Sequence, residues 1–211
     1  MNNETNFSEQ QSLNLITAMI EQARNNVQKG AANSMILNGY AVAAIALLNI
    51  ALAFIFLGTN QIYWIWCLMI PVWVVNRFLD KKQEKQAVVK THIDKIVNTT
   101  WNSFGFAVAI FLLLIFGYGI AMKNPKIFIM ITPMIMLMAG LAEFVTAKAC
   151  RFKPFFVGAC VMWAGALACL AIYIFLHYWA GIAHFFILAV CMVMSFSVPG
   201  HKLNKMAKDN A

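Results

Sequence analysis

Charge is missing from long stretches of this chain, and that absence constrains the fold more than any motif. No Asp, Glu, Lys or Arg occurs between Lys29 and Arg77, and none between Lys153 and Lys202. Each gap is too long for one bilayer crossing and suits two crossings joined by a tight turn, since one helix of ~20 apolar residues spans the hydrocarbon. Charged residues make up 11% of the sequence, against roughly 25% in soluble domains. In a soluble protein a net charge of +8 would suggest nucleic acid. Here the basic residues sit in short segments between apolar runs, where bilayer orientation accounts for them, and no nucleic-acid partner is expected.

The apolar runs predict an all-α integral membrane bundle of six transmembrane helices, arranged as three hairpins. The first is expected near 35–57 and the second near 62–77, joined by Gly58-Thr59-Asn60-Gln61. A third covers about 101–122, and Lys123-Asn124-Pro125-Lys126 leads to a fourth ending near Val145. The fifth runs over about 155–176, and the turn His177-Tyr178-Trp179-Ala180-Gly181 opens a sixth that ends near Val198, before Pro199-Gly200. An even number of spans puts both termini on one side, with the 77–100 and 146–154 loops. That side holds every Lys and Arg except Lys123 and Lys126, which places both termini in the cytoplasm. The expected organisation is a cytoplasmic amphipathic helix segment (1–34), a six-helix membrane domain (35–200) with a basic cytoplasmic loop (77–100), and a basic tail (201–211). The first thirty residues carry Glu4, Glu9 and Glu21 and have no basic-then-apolar leader pattern, so the first span is expected to act as the insertion signal.

Aromatic placement agrees with this topology. Trp64, Trp66 and Trp179 fall at outer ends and Trp73 and Trp101 near inner ends, while Trp163 sits deeper, as a packing residue would. Pro71 and Pro133 fall inside the second and fourth spans, where each removes a backbone hydrogen bond and is expected to kink its helix. Their similar offsets, with Asn38-Gly39-Tyr40 against Asn102-Ser103-Phe104, fit diverged hairpin copies.

Two cytoplasmic segments are amphipathic. In residues 8–29, Leu13, Ile16, Ile20, Ala23 and Val27 recur at helical spacing, and Ser8 with Gln11 fits a capping box. In residues 80–98, Val89, Ile93, Ile96 and Val97 share a face flanked by Lys81, Lys82, Lys85, Lys90 and Lys95. Two readings stand for this basic face: an interfacial helix on anionic lipid head groups, or a docking site for a cytoplasmic protein. A homo-oligomer is a further candidate partner for the apolar stripes.

Intramembrane polar residues are few. Glu143 is the one acid inside a span, near its cytoplasmic end, with Lys148 and Arg151 just beyond. A snorkelling or salt-bridged carboxylate is one reading of it and a proton-coupling group the other. Asn38 and Asn49 are eleven residues apart, about three helical turns, and so share a face. Asn49 lies near mid-bilayer and should hydrogen-bond across helices, as packing glue or as part of a solute site. His177 and His184 bracket the last outer turn without an evident third ligand, so no metal is expected there. Met130, Met134 and Met138 form a stripe that reads as flexible packing or as a thioether path for copper(I). Gly158, Ala164, Gly165, Ala168 and Cys169 favour close helix contact. The five cysteines lack CxxC spacing and read as packing residues. No phosphate loop, zinc-protease or nucleophile-elbow motif occurs. Neither enzymatic activity nor a cofactor is expected.

The run Glu9-Gln10-Gln11-Ser12-Leu13-Asn14-Leu15-Ile16-Thr17-Ala18-Met19-Ile20-Glu21-Gln22-Ala23-Arg24, then Leu37-Asn38-Gly39, and the ending Pro199-Gly200-His201-Lys202-Leu203-Asn204 resemble a family of uncharacterised small multi-span bacterial inner-membrane proteins. The resemblance covers the whole chain through short motifs. Family members often show an aromatic where Asn38 stands. It implies residence in the bacterial inner membrane and carries over no catalytic or binding residue. The expected function is non-enzymatic regulation, sensing or scaffolding through the cytoplasmic helices. The alternative is a small permease or channel for a neutral or weakly polar solute, supported by Asn38, Asn49, Thr132 and the two prolines.

Overall fold

The computed structural model describes residues 9–55, 66–86, 92–176 and 180–209. Among them, the elements are α1 (Glu9–Ile55), α2 (Met69–Gln86), α3 (His92–Ala121), a 3-10 segment (Pro125–Met130), α4 (Ile131–Cys150), α5 (Lys153–Phe175), α6 (Ala180–Met192), a π-helical turn (Val193–Ser197) and α7 (Val198–Asp209). Five runs are long and apolar enough to cross a membrane: Ala32–Ile55, His92–Ala121, Lys126–Cys150, Lys153–Phe175 and Ala180–Met206. The chain is a multi-pass helical membrane protein. In the region of the expected second span the structure has a shorter apolar helix, Trp66–Asn76. The start of that span, the preceding turn and Ser8 of the capping box lie outside the described residues.

Two boundaries differ from expectation, each for a local reason. The expected 8–29 helix and the first span are one unbroken helix, α1, because no proline interrupts Glu9–Ile55. The described residues of the 80–98 segment fall on two elements, and residues 87–91 lie outside the described residues. Its first part extends α2 to Gln86, through Lys-, Glu- and Gln-rich sequence of good helix propensity, and its second part is the opening of α3. The last helix passes through Pro199-Gly200 instead of stopping there. The π turn permits this: the Val198 N–H bonds the Val193 carbonyl, five residues back. This wider turn absorbs a proline ring that would clash within a regular α-helix.

Two prolines open a helical run, and three stand just after a 3-10 or π stretch that continues directly into an α-helix. Pro71 and Pro133 are third residues of α2 and α4, Pro125 opens the 3-10 segment, and Pro154 and Pro199 are second residues of α5 and α7. The kinks expected at Pro71 and Pro133 thus fall beside changes of helical register, where the tighter 3-10 stretch gives way to the α-helix.

The centre of the bundle is built by α4, α5 and α6, with α1 against α6, the π turn and α7, and α3 on the outer side of α4. Small residues dominate the contacts: Ala43 and Ala46 on α1, Ala139 on α4, Ala159 and Ala166 on α5, and Ala189 on α6 are all buried. Lipid tails are as apolar as the helices, so close van der Waals approach drives association where water exclusion would in a soluble core. The α4–α5 turn places Arg151 in the left-handed region (φ 51°) and sends the Phe152 N–H to the Ala147 carbonyl at 3.1 Å. At the same end of the bundle Ala32, Ala147, Phe155 and Leu203 cluster, tying α1, α4, α5 and α7 together.

The tightest approach of α1 to the last helix is at Gly39. A β-carbon there would meet the Ser197 side chain and lie 2.9 Å from the Ser197 backbone nitrogen. Gly39→Val is expected to lower stability by about 1–3 kcal/mol through overpacking, measured by thermal unfolding in detergent. Gly117→Ala, where nothing lies within 4 Å, should change it little.

Candidate functional site

Glu143 is fully buried in the described bundle, at 0% exposure. It lies seven residues before the end of α4, roughly 10 Å inside the span. Neither carboxyl oxygen has a hydrogen-bond partner. The snorkelling or salt-bridged arrangement with Lys148 and Arg151 is absent, for a reason of helical phase. Glu143 shares the buried face with Ala139, Ala142, Thr146 and Ala147, whereas Lys148, five residues on, is exposed and lies 5.5 Å and 5.4 Å from the Phe144 and Phe156 ring centroids.

The space for this carboxyl comes from Gly158 on α5. A β-carbon at Gly158 would stand 2.8 Å from the Glu143 carboxyl carbon and 3.0 Å from the Ser195 carbonyl oxygen. The Ser195 hydroxyl donates to the Gly158 carbonyl at 2.8 Å, which locks the π turn against α5. Ser197 is fully buried, and its hydroxyl has no partner. Glu143, Gly158 and the π turn thus form a sealed polar locus inside an apolar bundle. Beside it Trp101 of α3 meets Phe196 of the π turn edge-on, with centroids 5.6 Å apart, so Trp101 is a packing residue as well as a membrane-end aromatic.

A second polar locus involves α5 and α6. His184 is buried, and its Nε2 stands 2.8 Å from the Cys169 carbonyl. A carbonyl only accepts, so Nε2 carries the proton. The ring also lies beside the Ile129 carbonyl, although Nδ1 makes no hydrogen bond of good geometry. His177, its expected counterpart, lies outside the described residues. No group of three His, Cys, Asp or Glu could hold a metal ion among the described residues.

Asn49 is buried on α1 with its side chain engaged in the interior. Asn38 turns to α2, where its Oδ1 accepts from Asn76 Nδ2 at 2.7 Å. Met130 and Met134 line an open apolar surface groove between α3 and α4, with Leu114, Ile115 and Tyr118 among its walls. Trp163 donates to the Leu137 carbonyl at 3.2 Å, across the α4–α5 interface. Cys169 and Cys191 are buried, Cys67, Cys150 and Cys160 exposed, and all five are free. Lys95 is exposed near the start of α3; Lys81, Lys82 and Lys85 fall in the last two turns of α2, and Lys90 lies outside the described residues.

Sequence reasoning did not single out Asn76, Ser195 or Ser197. One signal for Ser195 was present: Pro199, four residues later, cannot donate to its carbonyl. The motif residues at the two ends of the sequence meet in space. Tyr40 Oη lies 3.2 Å from His201 Nε2, Asn204 Nδ2 donates to Asn33 Oδ1 at 3.0 Å, and Gly200 packs against Ile36 and the Ala32 carbonyl. The arrangement defines a polytopic helical membrane bundle with a sealed carboxyl in its interior. Comparison with protein-family models, with curated proteins and with solved structures finds no match.

The Asn38–Asn76 bond links α2 to α1. A double-mutant cycle with Asn38→Ala and Asn76→Ala is expected to give a coupling of about 0.6 kcal/mol, the usual scale for interhelical hydrogen bonds in membranes, read from unfolding in bicelles or mixed micelles.

Proposed function

We propose that the chain is a non-enzymatic sensing or regulatory protein of the bacterial inner membrane. In this reading it has six spans and both termini in the cytoplasm, and it works through its cytoplasmic helices. The observation that carries it is the continuity of α1. Its 47 residues make a rod about 70 Å long, of which Ala32–Ile55 is the membrane-crossing part. The remainder is rigidly continuous with Gly39, where α1 meets the π turn, so a shift in the bundle moves the projecting segment as one body. Leu13 on that segment is 62% exposed, an apolar residue suited to a protein partner, a second copy or the membrane surface. Lys95 is exposed, and with the sequence-adjacent Lys81, Lys82, Lys85 and Lys90 it supplies basic charge suited to anionic lipid.

A permease or channel for a neutral solute stands second. It requires a continuous polar cavity. Asn38 is committed to Asn76, and the open groove between α3 and α4 is lined by apolar side chains.

Two measurements test the first reading. Reporters fused to either terminus are expected to be active only if they are of the type that functions in the cytoplasm. Deleting residues 9–28 should leave membrane insertion and thermal unfolding unchanged but abolish the partner binding or self-association that survives mild detergent extraction. Association that persists without the segment, or none with it, rejects the reading.

A further inference from the structure

Glu143 and the π turn are matched in hydrogen-bonding terms, and the match requires a proton. In an α-helix the Ser195 carbonyl would accept from the N–H four residues on, which is Pro199 and has none. That carbonyl oxygen points at Gly158, at the place where the Glu143 carboxyl also lies. An ionised carboxylate offers only acceptors to a carbonyl, and the pair would repel. A carboxylic acid offers one O–H donor, which a carbonyl oxygen with two lone pairs can accept. We propose that Glu143 is a proton-binding site, its carboxyl protonated within the folded bundle and donating to the Ser195 carbonyl.

The surroundings favour a proton over a metal cation. The Glu143 carboxyl is fully enclosed and pressed against Gly158, whereas a hard cation needs about six oxygen ligands or retained waters. The nearby Ser195 hydroxyl is already donating to the Gly158 carbonyl. Among the described residues no side chain partners either carboxyl oxygen, and Asp94 and Lys95 of α3, which packs on α4, stand at that helix's start with Lys95 exposed. α5 presents Gly158, and its Lys153 is exposed at the helix start; the π turn presents only Ser195 and Ser197. α1 carries no Asp, Glu, Lys or Arg through its span. On α7 His201 is exposed and bonded to Tyr40, with Lys202 exposed beside it, and on α4 itself Lys148 and Arg151 are exposed. An intramembrane carboxyl in such a setting is a functional group by default, since burial of the charged form is costly. The site also adjoins the Gly39–Ser197 contact with α1, so gain or loss of this proton acts on the joint that holds the long helix. The proton site stands independently of whether the projecting part of α1 has a partner.

Infrared spectroscopy of the full chain in lipid vesicles at neutral pH tests this directly. The expected result is a protonated-carboxyl C=O band that disappears in Glu143→Gln. That variant should keep wild-type thermal unfolding, because its amide N–H replaces the acid O–H as donor. The band should shift down after equilibration in D₂O, as a site that binds and releases a proton must exchange. In Pro199→Ala the restored N–H competes for the Ser195 carbonyl, so the Glu143 band should move to higher frequency. A carboxylate band from Glu143, a band that alters when sodium replaces potassium, one that never exchanges, or one indifferent to Pro199→Ala would overturn the proposal.

Discussion

Within a bilayer no water is available to satisfy a backbone N–H or C=O, so each must find its partner inside the protein. That constraint organises this structure. It explains why the described chain is helical apart from its turns. It also isolates two carbonyls in the bundle interior that a proline four residues on leaves without their α-helical donor. The Ile129 carbonyl, opposite Pro133, lies beside the His184 ring. The Ser195 carbonyl, opposite Pro199, faces Glu143 across Gly158.

Close packing makes this arrangement rigid. Alanines and glycines on α1, α4, α5 and α6 let backbones approach until side-chain atoms of one helix fill the missing β-carbon of another. Gly39 receives Ser197 in this way, and Gly158 receives Glu143. The same contacts couple the two ends of the sequence, because α1 and α7 are fastened by Tyr40–His201 and Asn33–Asn204. A helix long enough to leave the membrane is thus clamped where the buried carboxyl lies, and this physical link joins the polar interior to the projecting surface.

Much of the fold was legible in the chain because hydropathy is local. The apolar runs at 32–55, 92–121, 126–150, 153–175 and 180–206 all emerge as membrane-length helices. Helix ends were less legible. Pro199-Gly200 is a stop signal by ordinary rules, yet a π turn carries the helix past it, and no local residue announces that turn. Pro71 and Pro133 read as mid-helix residues, and the structure places each just past a junction between a 3-10 stretch and an α-helix, which periodicity does not mark. At the site, Asn49, Glu143 and His184 stand out in sequence as rare polar residues, whereas Ser195, Ser197 and Asn76 do not. Serine is unremarkable in an apolar helix until its neighbour across the interface is known.

The sequence by itself determined that this is a membrane protein, roughly where its helices run, and that its basic residues gather at or beyond the ends of the long apolar runs. Those properties follow from transfer free energies and charge counts, which each segment carries with it. Only the tertiary structure decided what Glu143 faces. One helix shows that the residue is apolar-flanked and near a basic end, which suits a snorkelling carboxylate. The approach of α5 at Gly158 and the π turn at Ser195 seals it instead, because burial depends on which backbones come within van der Waals reach.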